Sequence, residues 1–158
     1  MGTKNQQIVI LGAGFAGVYT AKELCRLKKK HSLPIDVHLI NKENYMVFQP
    51  LLPEVLAGSV GVADTVTPIR KLVPGAILHL REVELVDIES KTVTCSPGFR
   101  PKALKIPYDQ LVFALGNVTN YKGMRGLSEH AFGFKTLGDA LAVRNHIIHI
   151  CNTLFFSR

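Results

Sequence analysis

Apolar residues first gather at Ile8-Val9-Ile10-Leu11, a run too short for a helix and too continuous for an exposed strand. It predicts a buried strand over residues 7–11. Residues 15–30 read as a helix, with Gly17, Ala21 and Leu24 forming a small, close-packing face. Pro34 ends the connection, and Ile35-Asp36-Val37-His38-Leu39-Ile40 alternates as a second strand. Two strands joined by a helix make a βαβ unit with parallel strands.

The later pattern is less regular. Asn44 to Gly58 is too apolar for a plain surface loop, and its prolines make it a poor strand. It predicts a buried loop leading into a short helix. Thr67-Pro68 reads as an N-cap and first helical residue before Ile69 to Val73, and Pro74-Gly75 stops that helix. Ala76 to Leu80, Glu82 to Ile88 and Lys91 to Cys95 read as strands, and Ser96 to Pro101 as a loop. Leu111 to Gly116 reads as a buried strand ending in glycine. Leu137 to Leu154 reads as a helix capped by Thr136.

The chemistry sits between the first strand and the first helix. Gly12, Gly14 and Gly17 have the G-x-G-x-x-G spacing. The first permits a tight turn, the second lets a pyrophosphate approach the backbone, and the third lets helix and sheet pack closely. The helix N-terminus then offers N–H groups and a positive dipole end to phosphates. A strand before and a helix after make this a dinucleotide site rather than an accidental turn. An acidic residue is expected about 20 residues later, to bind a ribose hydroxyl. Asn41 stands there instead, and its amide accepts more weakly than a carboxylate.

Composition narrows the classes. The chain has 158 residues, 47% hydrophobic and 20% charged, which is globular rather than disordered. The net charge is +7, but the one dense run, Lys28-Lys29-Lys30, closes the first helix, where cations complement its dipole. No nucleic-acid motif appears, so no nucleic-acid partner is expected. Cys25, Cys95 and Cys151 form no C-x-x-C, which argues against a zinc site, a disulfide framework and a disulfide-reducing flavin centre. No run is long enough to span a bilayer and no signal peptide precedes the first strand, so a cytoplasmic place is expected. His146 and His149 lie three apart on a helix without further ligands, and read as a surface pair. Cys151 has no partner and reads as inert. Glu54 reads as a partly exposed carboxylate at a helix start, with a proton relay as the sharper alternative. Tyr45, Phe48, Leu51 and Leu52 read equally as core packing or as the lining of a ligand path.

The segment Asn-Tyr-Met-Val-Phe-Gln-Pro-Leu-Leu-Pro-Glu-Val-Leu-Ala-Gly at 44–58 closely resembles type II NADH dehydrogenases, single-subunit flavoprotein NADH:quinone oxidoreductases. The resemblance continues at 108–121, at 130–141, and through Arg144 to Ile147. It implies an α/β fold: a Rossmann-like FAD-binding domain of parallel sheet, helices and an added β-meander. Residues 1–135 would be the N-terminal part of that domain. Residues 136–158 would form a helix leading toward an NADH-binding domain that this chain lacks.

The resemblance also assigns the site. Gly12, Gly14 and Gly17, with Phe15 and Ala16, would hold the FAD pyrophosphate. Asn41 would face the adenosine ribose, with Lys42 beside it, and Val83 would meet the adenine. Gln49, Pro50 and Leu51 would approach the isoalloxazine ring, and Ala114 and Gly116 would close over the cofactor. No catalytic side chain and no metal is implied. NADH would give a hydride to the flavin, and two electrons would pass to a quinone, in a complete protein lying at the cytoplasmic face of a membrane and open to pairing as a homodimer. The family strand near Ala114 usually ends Ala-Thr-Gly, against Ala-Leu-Gly here. No second glycine fingerprint follows Thr136, and the ending at 152–158 does not resemble the family, which reads as a truncated chain. The alternatives are a flavin- or nucleotide-binding module, an inactive remnant, or another flavin reductase such as a sulfide:quinone oxidoreductase.

Overall fold

The chain is described here from a computed structural model covering residues 4–98 and 102–156. Its first strand, β1 (Gln6–Leu11), runs into α1 (Phe15–His31) and then β2 (Ile35–Asn41). β1 and β2 are parallel, with Ile8 opposite Val37 and Leu11 opposite Ile40. The apolar run of β1 is continuous because both its faces are covered. Ile8 and Ile10 pack with Val18, Ala21, Val37 and Leu39, while Val9 and Leu11 pack with Ile40, Val93, Cys95 and Ile106. α1 ends at Ser32, a left-handed cap whose N–H returns to the Lys28 carbonyl. Lys28, Lys29, Lys30 and His31 fill its last turn, and the Lys28 ammonium lies 3.0 Å from Asp36.

After β2 come β3 (Tyr45–Val47), a 3₁₀ turn at Gln49–Leu51, α2 (Leu52–Ala57) and a second 3₁₀ turn at Val62–Thr65. β4 (Val66–Pro68), α3 (Ile69–Leu72) and β5 (Ile77–Leu80) follow. β6 (Val83–Asp87), β7 (Thr92–Cys95) and β8 (Leu104–Pro107) form an antiparallel meander. β9 (Gln110–Phe113), α4 (Leu127–His130) and α5 (Leu137–Phe156) complete the order. The main sheet is parallel, in the order β5-β2-β1-β9, and β3 pairs with β4. This is the expected α/β class, with the parallel sheet, the crossover helix and the meander all present.

The chain divides into two compact units. One holds the described residues up to Met46 together with Thr67–Gly116, and the other holds Val47–Val66 and the described residues from Asn117 onward. The first contains the parallel sheet, α1 and the meander. The second has its own small core, where Leu52, Val55 and Ala140 are buried against Val47, Leu137 and Leu141.

Several expectations are corrected. Thr67 is not a helix cap: it lies in β4, and Pro68 occupies the cap position of α3 with no side-chain bond. Tyr45–Val47 is a strand rather than loop, and Phe48 and the following turn are more exposed than a buried loop would be. β8 and α4 carry too short a pattern to have been read. The strand expected over 111–116 ends at Phe113 and is not buried. It is the edge of the sheet, with Phe113 62% and Leu115 60% exposed. An edge strand has only one neighbour to cover it, whatever its composition. The end of the 96–101 loop and residues 157–158 lie outside the described residues.

Candidate functional site

The glycine turn is built where the β1–β2 ladder ends. Gly12 donates its N–H to the Ile40 carbonyl at 2.8 Å, the last rung. Its φ of +95° suits glycine, and a Cβ there would lie 2.5 Å from the Ala114 carbonyl oxygen. Gly17 is the closest approach: a Cβ would lie 1.8 Å from the Gly12 carbonyl oxygen, so only glycine lets α1 seat against the turn. Gly14 differs from both. Its φ is −74°, and a Cβ would meet nothing within 4 Å. The Gly14 requirement is therefore not internal packing; the space above it is open. Gly14 is also the N-cap of α1, which has no side-chain cap and no acidic residue in its first turn. Gly14, Phe15 and Ala16 are exposed there. A helix N-terminus with no acidic residue in its first turn, beside open backbone at Gly14, is an arrangement that receives an anion.

The other expected residues of this unit group around the turn or at strand ends. Asn41 closes β2; its Oδ1 accepts from Ala13 N–H at 3.0 Å and its Nδ2 donates to the Glu43 carbonyl at 2.9 Å. Lys42 pairs with Glu82 at 2.6 Å. Val83 opens β6 opposite Cys95. Ala114 donates its N–H to the Leu11 carbonyl at 2.8 Å, continuing the β9 ladder to the Gly12 turn, and Gly116 follows with φ +72° and open space around it.

Gln49, Pro50 and Leu51 fall in the second unit. Gln49 and Pro50 line a cavity of about 420 Å³ with Leu52, Asn117, Phe134 and Lys135. Gln49 Nε2 donates to the Lys135 carbonyl at 3.3 Å, and the Lys135 ammonium donates to the Asn117 carbonyl. Asn117, Phe134 and Lys135 lie in stretches that carried the family resemblance, yet nothing in their local pattern distinguished them as lining residues. Below Lys135 the α5 start is tightly capped. Asp139 Oδ2 accepts from the N–H groups of Thr136 and Lys135 at 2.7 and 2.9 Å, and Thr136 Oγ1 accepts from Asp139 N–H at 3.1 Å. Those backbone donors hold the Asp139 carboxyl below its ordinary range.

Of the residues weighed separately, Leu52 is core, Tyr45 and Leu51 are half-buried and Phe48 is exposed. Glu54 is half-buried in the first turn of α2, as expected, and its Oε2 is enclosed without a hydrogen-bond partner. His146 lies against the Phe132 ring, and no group of three metal-ligating side chains occurs among the described residues. Cys95 is buried, Cys25 half-buried and Cys151 exposed, all as free thiols.

One cluster escaped sequence reading. His38 Nδ1 and His79 Nε2 are 2.9 Å apart on β2 and β5, and Gln7 Oε1 lies 2.8 Å from His38 Nε2. Gln7 Nε2 donates to the Asn5 carbonyl and to Asp36, so its oxygen faces His38 as acceptor. His38 Nε2–H donates to it, leaving Nδ1 to accept from His79 Nε2–H. Burial lowers both imidazoles, and the neighbouring His38 and Arg81 help push His79 down to about 4.

Residues 6–150 match the pyridine nucleotide-disulphide oxidoreductase family, and the chain belongs to it. It is 33% identical to the type II NADH:quinone oxidoreductase NdhA of Mycobacterium tuberculosis over 146 residues, which are 90% of this chain and 29% of that protein. The solved NDH2 of Plasmodium falciparum superposes with a TM-score of 0.78 at 28% identity, over 94% of this chain and 30% of that one. The sulfide:quinone oxidoreductase of Aquifex aeolicus gives the same TM-score at 26% identity, covering 92% and 32%. The chain spans between 25% and 35% of the length of the curated relatives it matches.

Proposed function

We propose that this chain is the FAD-binding part of a type II NADH:quinone oxidoreductase. The observation that carries the reading is the open backbone at Gly14, at the N-terminus of a helix with no acidic residue in its first turn, within a turn that Gly12 and Gly17 hold closed. These residues fit a pyrophosphate: a positive dipole end, no carboxylate in the first turn and open space beside Gly14. Gly12, Gly14, Phe15, Ala16 and Gly17 would bind it, with Asn41 and Lys42 toward the adenosine ribose and Val83 toward the adenine. Ala114 and Gly116 would border the cofactor, and Gln49, Pro50 and Leu51 would serve the isoalloxazine end. Family membership and the likeness to NDH2 support the same assignment.

Bound FAD would supply the redox chemistry, taking a hydride from NADH and yielding two electrons to a quinone. The residues of this chain bind and orient; none is assigned a proton-transfer role. Residues 1–135 would belong to the FAD domain, and residues 136–158 would lead toward the NADH-binding part. The whole protein would work at the cytoplasmic membrane face and pair as a homodimer. No helix among the described residues is long and apolar enough to cross a membrane.

The test is the visible spectrum of the purified 158-residue chain after incubation with FAD, before and after NADH. Bound flavin that stays oxidised supports an FAD module served by a donor site elsewhere. Bleaching by NADH would show that this stretch is a reductase by itself. Failure to retain any flavin would refute the assignment.

A further inference from the structure

Building on the FAD reading, we propose that Arg81 is a positioning residue for the adenosine end of the site, a clamp that holds the strand ends assigned to adenosine in one arrangement. Arg81 and Glu82 link β5 to β6 and touch each of those ends. Arg81 donates its N–H to the Asn41 carbonyl at 2.9 Å, which extends the β2–β5 pairing past Leu80. The Glu82 carboxylate holds the Lys42 ammonium at 2.6 Å. Val83 follows at once and opens β6. The Arg81 guanidinium reaches the loop between β7 and β8. Its Nη1 donates to the carbonyls of Ser96 and Pro97 at 2.5 and 2.8 Å, after β7, and to that of Lys102 at 3.3 Å, before β8. Carbonyl oxygens gathered at one spot repel one another unless a charged donor stands between them. Glu82 and Ser96 close the same junction. Ser96 N–H donates to the Glu82 carbonyl at 2.8 Å, and Glu82 N–H to Ser96 Oγ at 3.1 Å. Removing the guanidinium frees the loop and, through this pair of bonds, the start of β6 at Val83. The glycine turn has its own supports at Gly12 and Gly17 and is left intact.

A clamp of this kind raises the share of molecules whose adenosine end is ready to bind, and its loss weakens binding by that share. It acts on the adenosine end alone, whereas general damage to the fold lowers affinity for every ligand. The experiment compares the unaltered chain with Arg81→Met, which keeps an unbranched apolar stem and removes every donor, and Arg81→Lys, which keeps the charge. It reads the affinities for ADP and for inorganic pyrophosphate from amide chemical shifts, and the exchange of the Glu82 and Ser96 amides without ligand. For Arg81→Met we expect faster exchange of both amides, ADP binding weakened about tenfold, and pyrophosphate binding within about twofold of the unaltered chain. Arg81→Lys is expected to fall between the two in ADP affinity, and it carries the same test if Arg81→Met does not fold. The same loss for ADP and pyrophosphate, or an unchanged ADP affinity, would overturn the proposal. If the unaltered chain binds neither ADP nor FAD, the FAD reading fails on its own. Exchange then decides: unchanged Glu82 and Ser96 exchange in Arg81→Met overturns the proposal.

Discussion

The His38–His79 pair makes the stability of this chain sensitive to acid. His38 Nδ1 must be unprotonated to accept from His79 Nε2–H, and burial disfavours a charge on either ring. In the unfolded chain each histidine titrates at its ordinary value, 6.5, whereas His79 is held at about 4 in the fold. A lowered value means that the unfolded state binds protons first as pH falls. The contribution of the pair is thus complete above about pH 6.5 and is lost progressively down to about pH 4. For His79 alone the loss between pH 7 and pH 5 is about 2 kcal/mol, rising to about 3 kcal/mol at pH 4. Because the ring is only half-buried, these are upper limits. Urea unfolding at pH 7 and pH 5 measures the effect directly. The unaltered chain should lose about 2 kcal/mol more than His79→Gln over that interval. Equal losses in the two proteins would refute the reasoning, since glutamine removes the titration while leaving a side chain able to bond His38.

The glycine turn separates packing from binding. Gly17→Ala places a Cβ 1.8 Å from the Gly12 oxygen and should lower stability by about 1–3 kcal/mol, seen as a drop in thermal midpoint. Gly14→Ala meets nothing and has an ordinary φ, so its midpoint should hold or rise by the equivalent of up to about 1 kcal/mol. Its FAD affinity should nevertheless fall about tenfold or more, because the new methyl occupies the space beside the α1 N-terminus. Thr136→Ala removes the acceptor for Asp139 N–H and should cost about 1 kcal/mol in urea unfolding.

The elements read most securely are those whose signal is local. The run Ile8–Leu11, the alternation of Ile35–Ile40 and the glycine spacing between them specify a βαβ unit with a dinucleotide turn, because strand burial, helix period and turn chemistry each act within a few residues. The Thr136 cap was legible for the same reason: cap and partner are three residues apart. What escaped depends on partners distant in the chain. Leu111–Phe113 has the composition of a buried strand, yet its place at the sheet edge is decided by which strands stand beside it. Thr67 has cap chemistry, but pairing drew it into β4. His38 looks like any polar position of an alternating strand until β5 brings His79 within 2.9 Å. Nothing local to Asn41 foretells that its oxygen accepts from the Ala13 N–H, a contact made only when the turn meets the end of β2. Sequence alone thus determined the class of fold and the glycine turn, through short-range sterics and hydrophobic periodicity. The tertiary structure decided which polar groups meet, because long-range pairing sets the distances on which hydrogen bonds and titration depend.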